Sequence, residues 1–349
     1  MVTLGVDAHK RSHTVVAADQ QGRQLGQVTV QATSAGHLRA LGWASQWPQR
    51  VWAIEDCRQL SRRLERDLLV AGEPVVRVPP KLMAGARRGA RTRGKSDPID
   101  ALAVARAALR EPGLPVARLD GPDRAVRLLV DHRDDLVAER TRAQNRLRWH
   151  LHELEPGWEP PARALDRAKV LDAVQQRLAA HDGVVAQLAT ELVGRCRALT
   201  AQIQELERQL KGLVAPLAAS LLELGGCGTL TAAKLVGETA GITRFRSRAA
   251  FAMHNGTAPI PVWSSNQERH RLNRGGNRQL NAALHRIAVT QLRLGGAGRA
   301  YYQRRIAAGD TKTEAIRALR RRLSDEVYRR MEANERQRLT QQAHLSPAA

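Results

Sequence analysis

The sequence predicts an α/β domain at the N-terminus, followed by two regions that are mostly helical. Short alternating apolar runs in the first 110 positions, such as "VTLGVDA" and "HTVVAAD", indicate strands. After a Pro/Gly-rich connector at 111–123, apolar residues recur at steps of three and four, which indicates helices. We therefore expect the fold class α/β plus α, with a mixed sheet that carries helices on its faces.

Five strands are predicted in the first domain. Three come in series, "VTLGVDA", "HTVVAAD" and "GQVTVQA", and "VWAIED" and "PVVRVPP" supply the other two. Helical patterns lie between the later strands: "SAGHLRALGWASQ", with Ser34 as its expected N-cap, and "LSRRLERDLLVAG", which ends at Gly72. Consecutive strands followed by strands joined through helices predict a sheet of mixed direction.

The remainder of the chain divides into a helical middle at 121–216, a third domain at 217–338 and a disordered tail at 339–349. One long helix of the middle region repeats apolar residues at steps of four and three for about four heptads, the pattern of a coiled coil. These residues are Val185, Ala189, Leu192, Cys196, Leu199, Ile203, Leu206, Leu210 and Leu213. The stripe can pack within its own chain or against another copy, and we predict that it mediates self-association.

Charge is the strongest compositional signal. The 349 residues include 56 Lys and Arg against 34 Asp and Glu, a net charge of +22. Such an excess indicates a polyanionic partner, because clustered cations displace counterions from phosphates. Cys57, Cys196 and Cys227 have no metal-ligand spacing, and no apolar run suits a membrane span or a signal peptide. We expect a cytoplasmic protein with no membrane partner.

Four carboxylates occupy positions that can converge. Asp7 and Glu55 end predicted strands, and Asp97 and Asp100 begin a helix after the fifth strand. Taken singly, each has a simpler explanation: Asp7 can satisfy an N–H group, Glu55 can pair with an arginine, and Asp97 can cap the helix ahead of Pro98. Taken together, they predict a site for Mg²⁺ or Mn²⁺, ions that favour oxygen ligands and assist phosphodiester chemistry.

Basic side chains near these motifs are candidate contacts to nucleic acid, although a charge run is often a solvated face. They are Lys10, Arg87, Arg88, Arg91, Arg93, Lys95, Arg269, Arg271, Arg274 and Arg278. An actin-like ATPase is disfavoured, because "DAHKRSH" after the first strand contains no glycine for a phosphate loop.

Four segments, read in order, resemble one known family. They are "GVDAHK", "AIED", "KSDPIDALAVARA" and "GTAPIPVWSSNQERHRLNRGGNRQLNAALH". Together they resemble the transposases of bacterial insertion sequences with a RuvC-like DEDD domain, the family numbered one hundred and ten, described as RNA-guided bridge recombinases. The resemblance covers nearly the whole chain. It implies a RuvC/RNase H-like domain at 1–120, a coiled-coil middle and a C-terminal transposase domain.

The resemblance also assigns roles. The DEDD residues fall on Asp7, Glu55, Asp97 and Asp100, as catalytic and metal-binding residues. The family's nucleophilic serine falls on Ser264, with Ser265 as the second choice, because Ser265 and Asn266 stand where a glycine is usual. The family further implies a guide RNA, donor and target DNA, a dimer or a pair of dimers, and a bacterial, nucleoid-associated location.

The resulting interpretation is a site-specific DNA recombinase, guided by RNA and dependent on Mg²⁺. Its serine would attack a phosphate and keep the bond energy for rejoining. One alternative is a RuvC-like, structure-selective nuclease that uses water. The other is a non-catalytic architectural protein that binds nucleic acid. We expect the serine and the acidic site to come from different subunits, because the resemblance implies composite sites.

Overall fold

The computed structural model describes residues 1–56, 58–80, 82–83, 96–111, 113–264 and 267–345. The chain forms two compact units, Met1–Asp120 and Gly121–Ala349. The first contains a five-stranded sheet with helices, and the second is helical apart from one two-stranded hairpin. The predicted class, α/β plus α, is confirmed. Among the described helices, none is both long and apolar enough to cross a membrane.

The first unit is built around a mixed sheet in the order β3-β2-β1-β4-β5. Strands β1 to β3 run antiparallel, and β4 and β5 run parallel to β1. The strands are β1 Val2–Ala8, β2 Ser12–Ala18, β3 Gln24–Gln31, β4 Arg50–Glu55 and β5 Val75–Val78. The helices are α1 Ser34–Ala44, α2 Arg58–Val70 and α3 Asp97–Arg110. All five predicted strands are present.

The two faces of this sheet carry different helices. Leu4, Val6 and the neighbouring Ile54 belong to an apolar cluster with α1 and α2. On the opposite face α3 lies against β1 at Gly5, where an added Cβ would lie 2.1 Å from the Ala101 carbonyl oxygen. Only a glycine permits this backbone contact. The start of α3 is thereby placed close to the C-terminal end of β1.

The N-cap of α1 differs from the sequence prediction. Thr33, not Ser34, has the extended cap conformation, and its hydroxyl accepts a hydrogen bond from the Gly36 N–H at 3.2 Å. Ser34 is already helical, and its hydroxyl instead accepts from Arg63. Both residues suit a cap, and the exit of the chain from β3 decides between them.

The second unit contains nine α-helices and a short 3₁₀ turn among its described residues, with the β6–β7 hairpin inserted between α9 and α10. The helices are α4 Pro122–Leu154, α5 Ala168–Leu178, α6 Val184–Leu217, α7 Ala219–Leu222, α8 Thr229–Thr239, α9 Arg248–His254, α10 Arg278–Leu294, α11 Ala297–Ala307 and α12 Lys312–Leu345. Antiparallel strands β6 Ile260–Ser264 and β7 Gln267–Arg271 form the hairpin.

The heptad stripe of α6 packs within its own chain. Helices α4 and α6 run antiparallel, as shown by Arg133, which donates to Glu207 at 2.6 Å, and Arg140, which donates to Thr200 at 3.1 Å. The stripe residues Cys196, Leu199, Ile203 and Leu210 are buried there. Much of the stripe is thus covered by the chain's own helices, which supports the alternative of packing within one chain, and self-association through this seam stays a prediction.

The helical middle and the C-terminal region share a core, although the sequence divided them at residue 216. Val126 and Leu210 belong to the same apolar cluster as Ala232, Leu284 and Leu323, so α4, α6, α8, α10 and α12 pack together. Helix α12 continues to Leu345, beyond the start of the predicted disordered tail at 339. Residues 346–349 lie outside the described residues.

A pair of buried histidines lies on the α1 side of the sheet. His13 of β2 and His37 of α1 stack with ring centroids 5.3 Å apart, and His37 Nδ1 is 2.7 Å from Asp67 Oδ2. Burial, together with the nearby His37 and His9 rings, lowers the pKa of His13 to about 4. The folded unit therefore holds the His13 ring neutral.

We predict that acid destabilises this unit through His13. Its ordinary pKa is 6.5, so between that value and about 4 the unfolded chain binds a proton that the folded chain does not. Stability should fall as the pH drops through this window, by up to about 3 kcal/mol. A His13→Phe variant should lose less stability than the wild type between pH 7.5 and pH 4.5, measured by urea unfolding. His152→Gln, an exposed histidine, is the control, and equal acid losses for all three proteins would refute the prediction.

Candidate active site

The acidic residues of the sheet lie at neighbouring strand ends. Val6 of β1 pairs with Ile54 of β4, so the residues that follow, Asp7 and Glu55, are adjacent on the face that carries α3. Asp7 is 8% exposed. The strand register therefore brings together two of the four predicted carboxylates.

Helix α3 supplies the other two. Its N-cap is Ser96, and Asp97 already occupies the first turn ahead of Pro98. The simpler explanation of Asp97 as a cap is therefore wrong, and its carboxylate is available for the site. Asp100 lies one turn further along and is 9% exposed. A carboxylate in the first turn also suits the positive end of the helix dipole.

His9, which was not among the residues predicted from the sequence, completes the cluster. Its Nε2 lies 2.9 Å from Asp7 Oδ2 and 3.5 Å from Asp97 Oδ1. One candidate ligand atom from each of these three residues lies within 4.8 Å of the others. The spacing Asp-x-His was the available signal, because residues two apart in an extended segment project to the same side.

The electrostatics of the cluster favour a bound cation. Burial raises the pKa of the Asp7 carboxyl, the His9 ring lowers it, and the neighbouring carboxylates of Asp100 and Asp97 raise it again. Like charges held together in a poorly solvated place repel one another, and a divalent ion relieves that repulsion. Carboxylates suit Mg²⁺, and an imidazole adds affinity for Mn²⁺ and other transition metals. The residues present therefore fit a divalent metal ion.

The predicted serine lies in the second unit. Ser264 is the last residue of β6 and pairs with Gln267 of β7. Ser265, the second choice, lies outside the described residues.

The structure describes some of the predicted basic residues and not others. Lys10, Arg271, Arg274 and Arg278 are exposed, and none forms an ion pair with another residue that the structure describes. Arg269 lies in β7, and its side chain is outside the description. The remaining candidates also lie outside the described residues: Arg87, Arg88, Arg91, Arg93 and Lys95.

The base of the hairpin is held by a close contact of two glycines. Gly256 precedes β6 and has φ +74°, and Gly276 lies ahead of α10. An added Cβ on Gly276 would lie 2.3 Å from the Gly256 nitrogen. These glycines let the two chain segments that lead into and out of the hairpin lie directly against each other.

Asparagines tie the same segments together. Asn281 donates to the Asn255 carbonyl at 3.0 Å, and Asn273 donates to the Met253 carbonyl at 2.9 Å. Asn277 caps α10 through the N–H groups of Gln279 and Leu280. The asparagines of "LNRGGNRQLN" thus position the hairpin.

Two family profiles match most of the chain. A profile of DEDD transposases of the IS110 group, described as "Transposase", matches residues 4–156. A second, described as "Transposase IS116/IS110/IS902 family", matches residues 218–303. The chain belongs to this transposase family. The resemblance drawn from the sequence motifs is confirmed at that level, and the protein is an enzyme that acts on DNA.

Individual relatives match over most of their length. The transposase is 27% identical to an uncharacterized 44.8 kDa protein of insertion element IS116 from Streptomyces clavuligerus, over 94% of both chains. It is 26% identical to an uncharacterized 42 kDa protein of IS900 from Mycobacterium paratuberculosis, over 92% of this chain and 93% of the relative. It is 27% identical to the transposase of IS1328 from Yersinia enterocolitica, over 73% of each.

Two solved structures of Thermus thermophilus RuvC align with part of the transposase. One, in complex with a Holliday junction substrate, shows 17% identity and a TM-score of 0.25, over 31% of this chain and 93% of RuvC. The other shows 18% identity and a TM-score of 0.27, over 31% and 94%. The mixed five-stranded sheet that the sequence predicts for a RuvC/RNase H-like first domain is present.

We predict that Asp100→Asn weakens metal binding by at least about tenfold, because it removes one negative charge beside Asp7. The measurement is the rise in melting temperature of the purified protein with added Mg²⁺ or Mn²⁺, together with DNA strand cleavage. Glu111→Gln, at the exposed far end of α3, is the matched control. Binding of RNA should be retained. A wild-type metal response and full cleavage by Asp100→Asn would refute the assignment.

We predict that Gly276→Ala destabilises the second unit by about 1–3 kcal/mol, because the new methyl group overlaps the Gly256 backbone. Gly275→Ala is the matched control, since its nearest neighbour would be an Asn273 side-chain oxygen at 3.5 Å. The measurement is the free energy of unfolding in urea. Equal stabilities for the two variants would contradict the close contact.

Proposed function

We propose that this transposase is an RNA-guided, site-specific DNA recombinase that cleaves and rejoins strands through Ser264, assisted by Mg²⁺ or Mn²⁺ at the DEDD site. The observation that carries the proposal is the cluster of Asp7, His9 and Asp97 at the end of β1, with Asp100 close enough to raise the pKa of Asp7. Asp7 and Asp100 are nearly buried, burial and the nearby carboxylates raise the pKa of Asp7, and a bound cation would relieve their repulsion.

In this proposal the acidic residues bind the metal ion, and the serine reacts with the DNA phosphate. Asp7, Asp97 and Asp100, with Glu55 at the adjacent strand end, hold the metal, and a bound metal supplies Lewis-acid stabilisation of a phosphate. The Ser264 Oγ attacks phosphorus, its proton passes to a base, and a deoxyribose oxygen leaves. The phosphoserine diester keeps the bond energy, so a DNA hydroxyl can later displace the serine and restore the strand.

The basic residues fit the partners. Lys10 lies just beyond β1 near the acidic cluster. Arg271 is the last residue of the hairpin that carries Ser264, and Arg274 and Arg278 follow it. Cations beside the acidic cluster and beside the serine can bind the phosphates of a nucleic-acid backbone. In the proposed system a guide RNA selects donor and target DNA by base pairing, so the protein needs to grip backbone and shape only.

Geometry sets a requirement on assembly. An effective attack needs the serine oxygen about 3–3.5 Å from phosphorus. We propose that Ser264 of one copy serves the acidic site of another in a dimer or a pair of dimers, which keeps the enzyme inactive until two complexes pair. Because the buried part of the α6 stripe is covered within the chain, we expect this assembly to use other surfaces as well.

We predict that Ser264→Ala abolishes strand cleavage and the covalent protein–DNA adduct, while RNA and DNA binding persist. A strand-exchange assay with the native element's RNA, donor and target measures both. A Ser264→Ala protein mixed with an Asp7→Asn protein should regain part of the activity.

The same assay separates the other mechanisms. Cleavage that survives in Ser264→Ala without an adduct would indicate a nuclease that uses water. Loss in Ser265→Ala alone would move the nucleophile by one residue. No rescue in the mixture, with co-assembly shown by light scattering, would place both halves in one chain. Strand exchange that persists in EDTA would refute the metal.

A further inference from the structure

The far end of α4 exposes a tryptophan. Trp149 is 74% exposed, whereas its helix neighbours Leu147 and Leu151 are buried against α6 and its surroundings. Leaving a large aromatic side chain in water gives up the stabilisation that its burial would supply. The exposed ring therefore needs an explanation other than the stability of the unit.

Two arginines share the face of Trp149. Arg142, Arg146 and Trp149 occupy positions i, i+4 and i+7, which lie in one row along a helix. Both arginines are exposed, and neither forms an ion pair with any other residue in the described part of the chain. Two like charges one turn apart destabilise a helix slightly. We call these three residues the α4 row.

Other arginines of the same helix are used differently. Arg133 donates to Glu207, Arg140 donates to Thr200, and Arg148 donates to the Pro160 carbonyl at 3.3 Å. These contacts hold α4 to its own unit. The α4 row, by contrast, directs its charge away from these contacts, so its cations remain available to a partner.

The side chains of the α4 row indicate what kind of partner can bind there. A flat aromatic ring stacks on a base, and guanidinium groups beside it bind the flanking phosphates. The bases of a duplex are stacked on each other and offer no free face. A second copy of the chain is a poor partner here, because a symmetric contact would set the arginines of one row against those of the other.

We propose that the α4 row binds an unpaired segment of nucleic acid, with Trp149 stacked on one base and Arg142 and Arg146 on adjacent phosphates. The proposal deepens the proposed function and rests on it in one respect, that nucleic acid is the partner. Unpaired nucleotides can belong to a loop of the guide RNA or to an opened DNA strand, and both offer the same chemistry.

The test is binding of the full-length protein to labelled oligouridine, oligothymidine and duplex DNA, by fluorescence anisotropy. Strands of about 12 nucleotides are long enough to cover such a site. Trp149→Ala should weaken single-strand binding by between about 5-fold and 150-fold. Trp149→Phe should retain it within about 3-fold, because a phenyl ring still stacks. Duplex binding should change less than about 2-fold, as no base face is offered.

Matched controls separate stacking from general effects. Leu128→Ala removes another exposed apolar side chain from α4, and Arg208→Ala removes an exposed arginine that is paired with Glu205. Neither should change single-strand binding, whereas Arg142→Ala with Arg146→Ala should weaken it and reduce its salt dependence. A loss restricted to oligouridine would assign the site to RNA, and a loss restricted to oligothymidine would assign it to DNA.

Three results would overturn the proposal: unchanged single-strand binding by Trp149→Ala, an equal loss for duplex, or a reduced assembled mass in light scattering. The last would make the row a contact between copies. These outcomes are independent of strand exchange, so a wild-type protein that binds single strands through Trp149 but exchanges none would refute the proposed recombinase and leave this surface intact.

Discussion

The close contact between α3 and β1 at Gly5 is the constraint on which the acidic site depends. No side chain separates the helix from the strand there, because an added Cβ would overlap the Ala101 carbonyl and lie 2.5 Å from the Ala105 nitrogen. The distance between helix and sheet is thus fixed by backbone atoms, which are less adjustable than side chains. The first turn of α3 then delivers Asp97 and Asp100 to the end of the strand that carries Asp7.

That placement has an electrostatic consequence. Carboxylates that a solvated surface would separate are held together beside a poorly solvated strand end, and burial and repulsion raise the pKa of Asp7. His9 offsets part of this by its contact with Asp7 at 2.9 Å. Carboxylates that converge at a buried strand end, with a raised pKa, are typical of a functional site.

The second unit also uses glycines to bring two backbone segments into contact, and here the contact supports the hairpin. Gly256 and Gly276 allow two segments to touch, and asparagines join them, so the hairpin with Ser264 has a defined base. The asparagines of "LNRGGNRQLN" form a conspicuous polar motif that looks functional in the sequence. Their contacts largely serve to position the hairpin. The long α4–α6 pair, packed along its whole length by its own apolar stripe, leaves its outer face available for Trp149 and its arginines.

The sequence alone determined the strands of the first unit, the order of the four carboxylates and the family, because each depends on local periodicity or on a motif. Only the tertiary structure decided what covers the α6 stripe, since a period of apolar residues defines a face and says nothing of its partner. The same holds for His9, whose role appears only when the turn after β1 meets the start of α3. It holds again for Thr33 over Ser34 at the start of α1, where two suitable caps are adjacent and the path of the chain from β3 selects one. The local sequence identifies residues that are suited to such roles, and the packing of distant segments determines which of them take those roles.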